Sequence, residues 1–272
     1  MSLPQLLVRI LSAFVAVFLL ALSYYFGKLE GLALFGLLLC SIGTWEYSEL
    51  TLSRLNGRAA RNIFRVLAPI GLILLVLLPR GNTAIFSSIV ALNLSLMLWF
   101  YRGKQEVSQI FQAGLKTGLG YIYTVLFPSF ALAILFVPNG HWWFLLLLVV
   151  TFAGDIFAYF GGLTFGKHRL MPALSPKKSI EGALFGFVGS VISALVFCHF
   201  LIPELSYIIV FVWSVVTSFL CQTGDLFESL LKREAKVKDS GKIMPGHGGV
   251  LDRLDGVYFG APALYLLYVL TL

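Results

Sequence analysis

The feature that most constrains this chain is a succession of long apolar segments that contain almost no charged side chains. Residues 205–224, for example, include none, and residues 10–26 lie uninterrupted between Arg9 and Lys28. A bilayer core about 30 Å thick is crossed by about 20 helical residues. Only 12% of the 272 residues are charged and 58% are apolar, whereas soluble domains have roughly 25% charged residues. The sequence therefore predicts an integral membrane protein.

Dividing the sequence at its charges predicts an all-α membrane protein with about nine transmembrane helices. The predicted spans are Ile10–Phe26, Gly31–Trp45, Val66–Pro79, Gly81–Tyr101, Thr117–Asn139, His141–Thr164, Gly182–Pro203, Leu205–Gly224 and Gly256–Leu272. The second span is short and needs flanking residues through Leu50. We interpret residues 1–272 as a single membrane domain, in which 1–140 supply N-terminal helices and 141–272 carry the chemistry.

The basic residues fall almost entirely on one side of these helices. Of the 20 Lys and Arg residues, all but Lys28 and Arg80 lie in one set of loops. That set is Arg9, Arg54, Arg58, Arg61, Arg65, Arg102, Lys104, Lys116, Lys167, Arg169, Lys177, Lys178, Lys232, Arg233, Lys236, Lys238, Lys242 and Arg253. Positive residues stay on the cytoplasmic side of a membrane. We therefore expect a multi-pass protein of the cell inner (cytoplasmic) membrane, with the N-terminus inside and the C-terminus outside.

The net charge of +7 is explained by this topology together with attraction to anionic lipid headgroups. No basic stretch is interleaved with aromatic residues in a polar domain, so we expect membrane lipid as a partner and no nucleic acid.

The acids cluster where the predicted eighth span ends and the ninth begins. Asp225, Ser229 and Lys232 are spaced i, i+4, i+7 and share one helical face, while Asp252 and Asp255 are three residues apart and can converge. Three carboxylates beside cationic side chains suit Mg²⁺ and phosphate. The alternative is a lattice of interfacial salt bridges among Asp225, Arg233, Arg253 and Asp255. Spacing alone leaves both interpretations open.

Two polar loops face the same predicted compartment. Residues 238–250 are rich in glycine, which lets backbone N–H groups close around an anion. His247 there is a general acid, a hydrogen-bond donor to phosphate or a turn residue. Residues 175–182 contain Lys177 and Lys178 between serines, a composition that suits phosphate oxygens. A plain positive-inside loop is the alternative for the second segment.

Together these residues resemble the signature of the bacterial phosphatidate cytidylyltransferase (CDP-diacylglycerol synthase) family. The resemblance runs from Ser229-Leu-Leu-Lys-Arg233 through Lys238-Asp239 to Pro245-Gly-His-Gly-Gly-Val-Leu-Asp-Arg-Leu-Asp255. Met244 departs from the branched or aromatic apolar residue expected there, which changes no chemistry. The segments 155–159 and 175–182 also look like the family, whereas the first five spans are generic.

The resemblance implies transfer of CMP from CTP to phosphatidic acid, with Mg²⁺ as cofactor and CDP-diacylglycerol and pyrophosphate as products. It implies catalytic roles for Asp225, Lys232, Asp252 and Asp255, and metal binding by the three acids. It implies that the phosphates are bound by Lys177, Lys178, Ser229, Arg233, Lys238, His247, Gly248, Gly249 and Arg253. The active site would face the cytoplasm, and the sequence leaves open whether the chain forms a homodimer.

Two other functions compete with this one. A CTP-dependent lipid-alcohol kinase would use similar groups but would transfer the γ-phosphoryl group of CTP. A transporter would place the intramembrane Asp155, whose role the sequence leaves open, on an ion path. The gathering of acids at one face of the membrane argues against the transporter.

Overall fold

The computed structural model describes residues 3–53, 58–78, 82–100 and 106–271. The chain is mostly helical, as predicted, and seven of the described helices are long and apolar enough to cross a membrane. Their contacts divide the chain into two compact units. The first comprises Met1–Leu132 and Glu234–Arg253, and the second comprises Ala133–Arg233 and Leu254–Leu272.

The first unit begins with a long helix that is broken once. Helix α1 runs over Leu3–Thr51, and non-helical angles at Lys28 (φ 51°, ψ −135°) separate its two halves. These halves contain the first two predicted spans, and the second half continues beyond Trp45 as its length required. The unit continues with α2 (Arg58–Leu77), α3 (Asn82–Phe100), α4 (Val107–Tyr121), a π-helical segment (Ile122–Leu126) and most of α5 (Phe127–Ala133).

The core of the first unit is aromatic. Tyr47, Phe64, Tyr121 and Tyr123 are buried, and their neighbouring ring centroids lie 5.1–6.1 Å apart. The hydroxyl of Tyr47 donates to the backbone carbonyl of Lys116 at 2.7 Å. Because a buried tyrosine needs a partner for its hydroxyl, this bond fixes the second half of α1 against α4.

The second unit begins with a 3₁₀ turn (Ile134–Phe136) and α6 (Gly140–Phe165). A hairpin of β1 (Arg169–Met171) and β2 (Ser175–Ser179) leads into α7 (Ile180–Leu201). Helices α8 (Tyr207–Glu234) and α9 (Leu251–Leu270) follow, joined by the polar segment of the first unit.

Small residues bring α6 and α7 together. A Cβ atom on Gly154 would lie 2.5 Å from the Ser190 Oγ, and one on Gly186 would lie 3.1 Å from the Ala158 Cβ. The Ser190 hydroxyl donates to the Val150 carbonyl of the facing helix at 2.8 Å. Close backbone approach and an interhelical hydrogen bond are the usual means of packing membrane helices.

The helices agree with the predicted spans at most positions, but the count of nine and the orientation of the termini stay predictions. One of the seven apolar helices, Phe14–Thr51, covers two predicted spans, and α9 is not among the seven. The hairpin was not expected in an all-α protein. Of the basic residues used for orientation, Arg54, Arg80, Arg102 and Lys104 lie outside the described residues.

Candidate active site

Three carboxylates converge in the second unit. Asp225 and Glu228 lie one turn apart near the end of α8, and Asp255 lies in the second turn of α9. One oxygen from each lies within 4.8 Å of the others. Glu228 and Asp255 are buried, whereas the Asp225 side chain is 32% exposed. We call Asp225, Glu228 and Asp255 the acid triad.

Two lysines neutralise part of this charge. Lys178 forms an ion pair with Asp225, and the Lys232 ammonium lies 2.6 Å from the Glu228 Oε2. Burial lowers the pKa of the Lys178 ammonium, and the nearby carboxylates of Asp255 and Asp155 act in the opposite direction. The site therefore combines closely spaced acids with cations that can bind a phosphate oxygen.

The hairpin holds Lys178 in place. Lys178 lies in β2, directly before Ser179, whose hydroxyl accepts the Gly182 N–H at 3.1 Å and caps α7. The backbone N–H groups of Lys167 and His168 donate to the Glu181 carboxylate at 3.0–3.3 Å. A capped helix and a bound turn thus fix both ends of the segment that carries the lysine.

The acid triad fits a magnesium ion by its chemistry. Mg²⁺ binds oxygen ligands octahedrally at about 2.1 Å, so neighbouring ligands of one ion lie about 3 Å apart and opposite ligands about 4.2 Å apart. The three oxygens lie within 4.8 Å of one another, so the side chains would have to move closer together to bind one ion. Glu228 therefore joins Asp225 and Asp255 as a candidate ligand.

A separate group of polar contacts organises the glycine-rich loop in the first unit. The carboxylate of Glu46, on the second half of α1, accepts the N–H of Val250 at 3.2 Å and that of Leu251 at 2.8 Å. The Ser240 hydroxyl lies 3.3 Å from the same carboxylate and 2.9 Å from the Asp252 Oδ2. The loop thus closes around carboxylates of the chain itself.

Asp252 is one of those carboxylates. Its Oδ2 accepts the backbone N–H groups of Ser240 and Gly249, each at 2.8 Å. Gly248 has φ +87°, and a Cβ atom there would lie 2.7 Å from this oxygen. The metal role predicted for Asp252 stays a prediction, since the triad that the structure brings together contains Glu228 and not Asp252.

The other predicted phosphate-binding residues have diverse surroundings. In the first unit, Lys238 is exposed, and the Arg253 guanidinium donates to the His247 carbonyl at 2.9 and 3.2 Å. The Nδ1 of His247 lies 2.6 Å from the Ser12 Oγ. In the second unit, the exposed Lys177, the partly buried Ser229 and the exposed Arg233 complete the predicted set.

The predicted salt-bridge lattice is not the arrangement among these described residues. Asp225 pairs with Lys178, and Arg253 donates to a carbonyl, as above. The guanidinium of Arg233 donates to the Leu174 carbonyl at 3.0 Å, which ties α8 to the hairpin. Both arginines therefore contact backbone oxygens.

Sequence reasoning missed two acids, Glu228 and Glu46. Glu228 is three residues after Asp225, so helical periodicity placed it on the same face. Glu46 lies directly after the predicted span Gly31–Trp45 and was given no role. A carboxylate within or beside an apolar membrane segment is usually functional. This rule drew attention to Asp155, and it could have identified Glu46 in the same way.

Comparisons with known proteins identify the family to which the chain belongs. A model described as the cytidylyltransferase family matches residues 7–271. The phosphatidate cytidylyltransferase of Thermotoga maritima is 41% identical over 169 residues, covering 60% of this chain and 62% of that protein. That of Mycobacterium bovis is 37% identical over 153 residues, covering 56% and 48%. That of Staphylococcus haemolyticus is 30% identical over 272 residues, covering 96% and 98%.

The first two of these relatives are therefore spanned over about half to three fifths of their length, and the third over almost all of it. The match to the family model extends over nearly the whole chain, including both lysines and all the acids described above. The chain belongs to the cytidylyltransferase family.

Proposed function

We propose that the chain is a phosphatidate cytidylyltransferase that makes CDP-diacylglycerol and pyrophosphate from CTP and phosphatidic acid. The observation that carries the proposal is the acid triad with Lys178 and Lys232 beside it. Family membership and the names of the three relatives support the choice of substrates.

The reaction joins two anions. A phosphate oxygen of phosphatidic acid forms a bond to the α-phosphorus of CTP, and the bond from that phosphorus to the bridging oxygen of the β-phosphate breaks. Pyrophosphate leaves with the electron pair. The lipid phosphate is itself the nucleophile, so no covalent enzyme intermediate is required. The main barrier that the protein must lower is electrostatic repulsion.

The residues of the triad and its lysines suit that task. Asp225, Glu228 and Asp255 would hold Mg²⁺, which supplies neutralising charge to the triphosphate and to the departing pyrophosphate. Lys178 and Lys232 would donate to phosphate oxygens, exchanging their present carboxylate partners for substrate. A partly buried ammonium is effective here because its field is less screened than in water.

A radiolabel test separates this proposal from its closest rival. With phosphatidic acid and Mg²⁺, label from CTP carrying ³²P at the α-position should enter the lipid fraction. Label at the γ-position should appear in pyrophosphate. If only the γ-label entered lipid, when a lipid alcohol was supplied, the chain would be a lipid-alcohol kinase. Detergent-solubilised protein should turn over CTP without any sealed compartment, which a transporter would not do.

We further propose that the chain lies in the inner membrane with its active site facing the cytoplasm, in a nine-span topology. The charge asymmetry of the loops supports this orientation. A tag after Leu272 should be external, and a tag inserted near Arg58 should be cytoplasmic. Labelling with a membrane-impermeant reagent tests both, and two tags on the same side would contradict the nine-span topology.

A further inference from the structure

Glu46 is a buried acid remote in sequence from the residues that carry the proposed chemistry. The residue is 3% exposed, and it lies on α1 between Trp45 and Tyr47. Burial of a carboxylate without compensating polar contacts is strongly unfavourable. Its position therefore needs partners strong enough to offset the loss of water.

Those partners are the first backbone N–H group of α9 and the N–H group of the residue before it. Leu251, where α9 begins, donates to the Glu46 Oε2 at 2.8 Å, and Val250 donates to the Oε1 at 3.2 Å. N–H groups in the first turn of a helix have no partner within that helix, and the helix dipole favours negative charge there. Glu46 thus caps α9 from another part of the chain.

The glycine-rich loop is shaped to fit this carboxylate. A Cβ atom on Gly241 would lie 2.1 Å from the Glu46 Oε1, and its three nearest atoms all belong to Glu46. A Cβ atom on Gly249 would lie 2.1 Å from the Ser240 Oγ and 2.6 Å from the Glu46 Oε2. Glycine at these positions allows the loop to close around the acid.

The loop held in this way carries Lys238 and His247, which are expected to bind the nucleotide phosphates. Arg253, expected to do the same, follows it in the first turn of α9 and donates to the His247 carbonyl. Ser240, whose hydroxyl lies between the Glu46 and Asp252 carboxylates, is also buried. The contacts of the two acids therefore bring residues from the beginning and the end of the loop to one place.

We propose that Glu46 is a positioning residue that orders the loop 238–251 for binding of the CTP phosphates. This inference rests on the proposed function for its substrate but not for its structural part. Loss of the Glu46 charge should loosen the loop and weaken CTP binding, while the acid triad stays intact.

The test compares Glu46→Gln with Glu49→Gln in the full chain, embedded in lipid nanodiscs. Glu49 is the matched control because it is the same residue type one turn later on α1, and it pairs with Arg61 and Arg65 instead. Hydrogen–deuterium exchange of the peptides covering residues 238–251 reports loop order. Steady-state assays report the KM for CTP and for phosphatidic acid separately.

For Glu46→Gln we expect exchange in the loop, and the KM for CTP, each to rise about tenfold, since weakening charge-assisted hydrogen bonds by about 1.4 kcal/mol has that effect. The KM for phosphatidic acid should change less than about twofold by the same relation. Glu46→Asp, which keeps the charge, should restore part of both losses. Glu49→Gln should change neither quantity.

A second variant keeps the test sound if Glu46→Gln folds poorly. Gly241→Ala should also raise loop exchange and the KM for CTP, because its new methyl group displaces the Glu46 carboxylate. Gly118→Ala on α4 is its control, since a Cβ atom there meets nothing within 4 Å.

The outcomes are distinct. Unchanged loop exchange in Glu46→Gln, or a uniform rise across all helices, would overturn the proposed ordering of the loop. Raised loop exchange with an unchanged KM for CTP would overturn its link to the nucleotide. If the wild-type chain makes no CDP-diacylglycerol, the proposed function fails, and the exchange data still decide whether Glu46 orders the loop.

Discussion

The acid triad of the second unit and the Glu46–Asp252 group of the first unit solve the same electrostatic problem in different ways. Both place carboxylates close together, some of them buried and one in each group only partly buried. In the triad, the neutralising groups are the ammonium ends of Lys178 and Lys232. In the other group, they are mainly backbone N–H groups of Ser240, Gly249, Val250 and Leu251.

The difference indicates which group can do chemistry. A lysine side chain has several rotatable bonds and can leave a carboxylate for a phosphate, so the triad can exchange its counter-charges for metal and substrate. Backbone N–H groups are fixed by the chain, so the acids they bind stabilise a conformation. On this basis we propose binding and catalysis for the triad and loop order for Glu46, while the metal role of Asp252 stays a prediction.

The largest expected effect is loss of turnover when the triad loses a charge. Asp225→Asn and Asp255→Asn preserve side-chain volume but remove the charge that a hard cation needs. CTP turnover per folded molecule should fall about 100-fold or more, a magnitude typical of lost transition-state stabilisation. Specific activity should be measured beside a melting curve. Near-normal specific activity in both variants would show that the triad has a structural role and no role in catalysis.

Asp252 tests whether the two groups have separate roles, because it orders the loop and is also predicted to bind metal. Asp252→Asn keeps an oxygen that can accept from Ser240 and Gly249, so the loop should stay folded. If the carboxylate also serves metal or phosphate, as the sequence predicts, turnover should fall about tenfold, which corresponds to about 1.4 kcal/mol. Asp252→Ala should lose stability as well, by about 1–3 kcal/mol for unsatisfied donors.

The two Asp252 variants should be compared by specific activity and by melting temperature. Normal specific activity in Asp252→Asn would assign Asp252 wholly to loop order. Asp252, in the first turn of α9, would then only order the loop, and Asp255, in the second turn, would be the first residue of that helix with a role in the proposed chemistry.

Neighbouring lysines on the hairpin provide a matched pair for the next effect. Lys178 contacts Asp225, whereas the adjacent Lys177 is exposed. Lys178→Met should lower turnover at least about tenfold more than Lys177→Met, because a partly buried cation acts through a less screened field than an exposed one. Initial rates at several salt concentrations check this, since the Lys177 effect should fade as salt rises. Equal effects would indicate that residues 175–182 are a plain positive-inside loop with no role in phosphate binding.

The sequence revealed the triad only in part and the Glu46 contacts not at all. The helices followed from uncharged runs, because lipid forces each span to satisfy its own backbone hydrogen bonds. Spacing on helices that the apolar runs had located made Asp225 and Asp255 candidates, and the resemblance to the family implied their metal role. The hairpin did not, because Ser175-Pro-Lys-Lys-Ser179 has no alternation of apolar and polar residues to indicate a strand.

Glu46 shows where local patterns stop being informative. Its hydrogen bond to Val250 joins residues 204 positions apart, and no periodicity relates them. The glycines of the loop suggested an anion site, and the structure supplies that anion from α1 and α9 themselves. Gly246 and Gly248 do have positive φ angles, and the phosphate binding predicted for this loop stays a prediction.

The smallest expected effect calibrates the others. Lys116 and Glu234 form an ion pair of 2.9 Å in the first unit, with side chains 23% and 50% exposed. Exposed pairs of this kind contribute about 0.2–1 kcal/mol, because water and salt screen the charges and both side chains lose rotamer freedom. Lys116→Met should therefore shift the free energy of unfolding by no more than about 1 kcal/mol and leave turnover nearly unchanged.

The same substitution at Lys178 removes the same kind of group from a carboxylate in the acid triad. A denaturation curve and a CTP assay on both variants, at matched lipid composition, give the comparison directly. If Lys178→Met has no larger effect on turnover than Lys116→Met, the Lys178–Asp225 pair is an ordinary ion pair. Lys178 would then have no role in the proposed reaction.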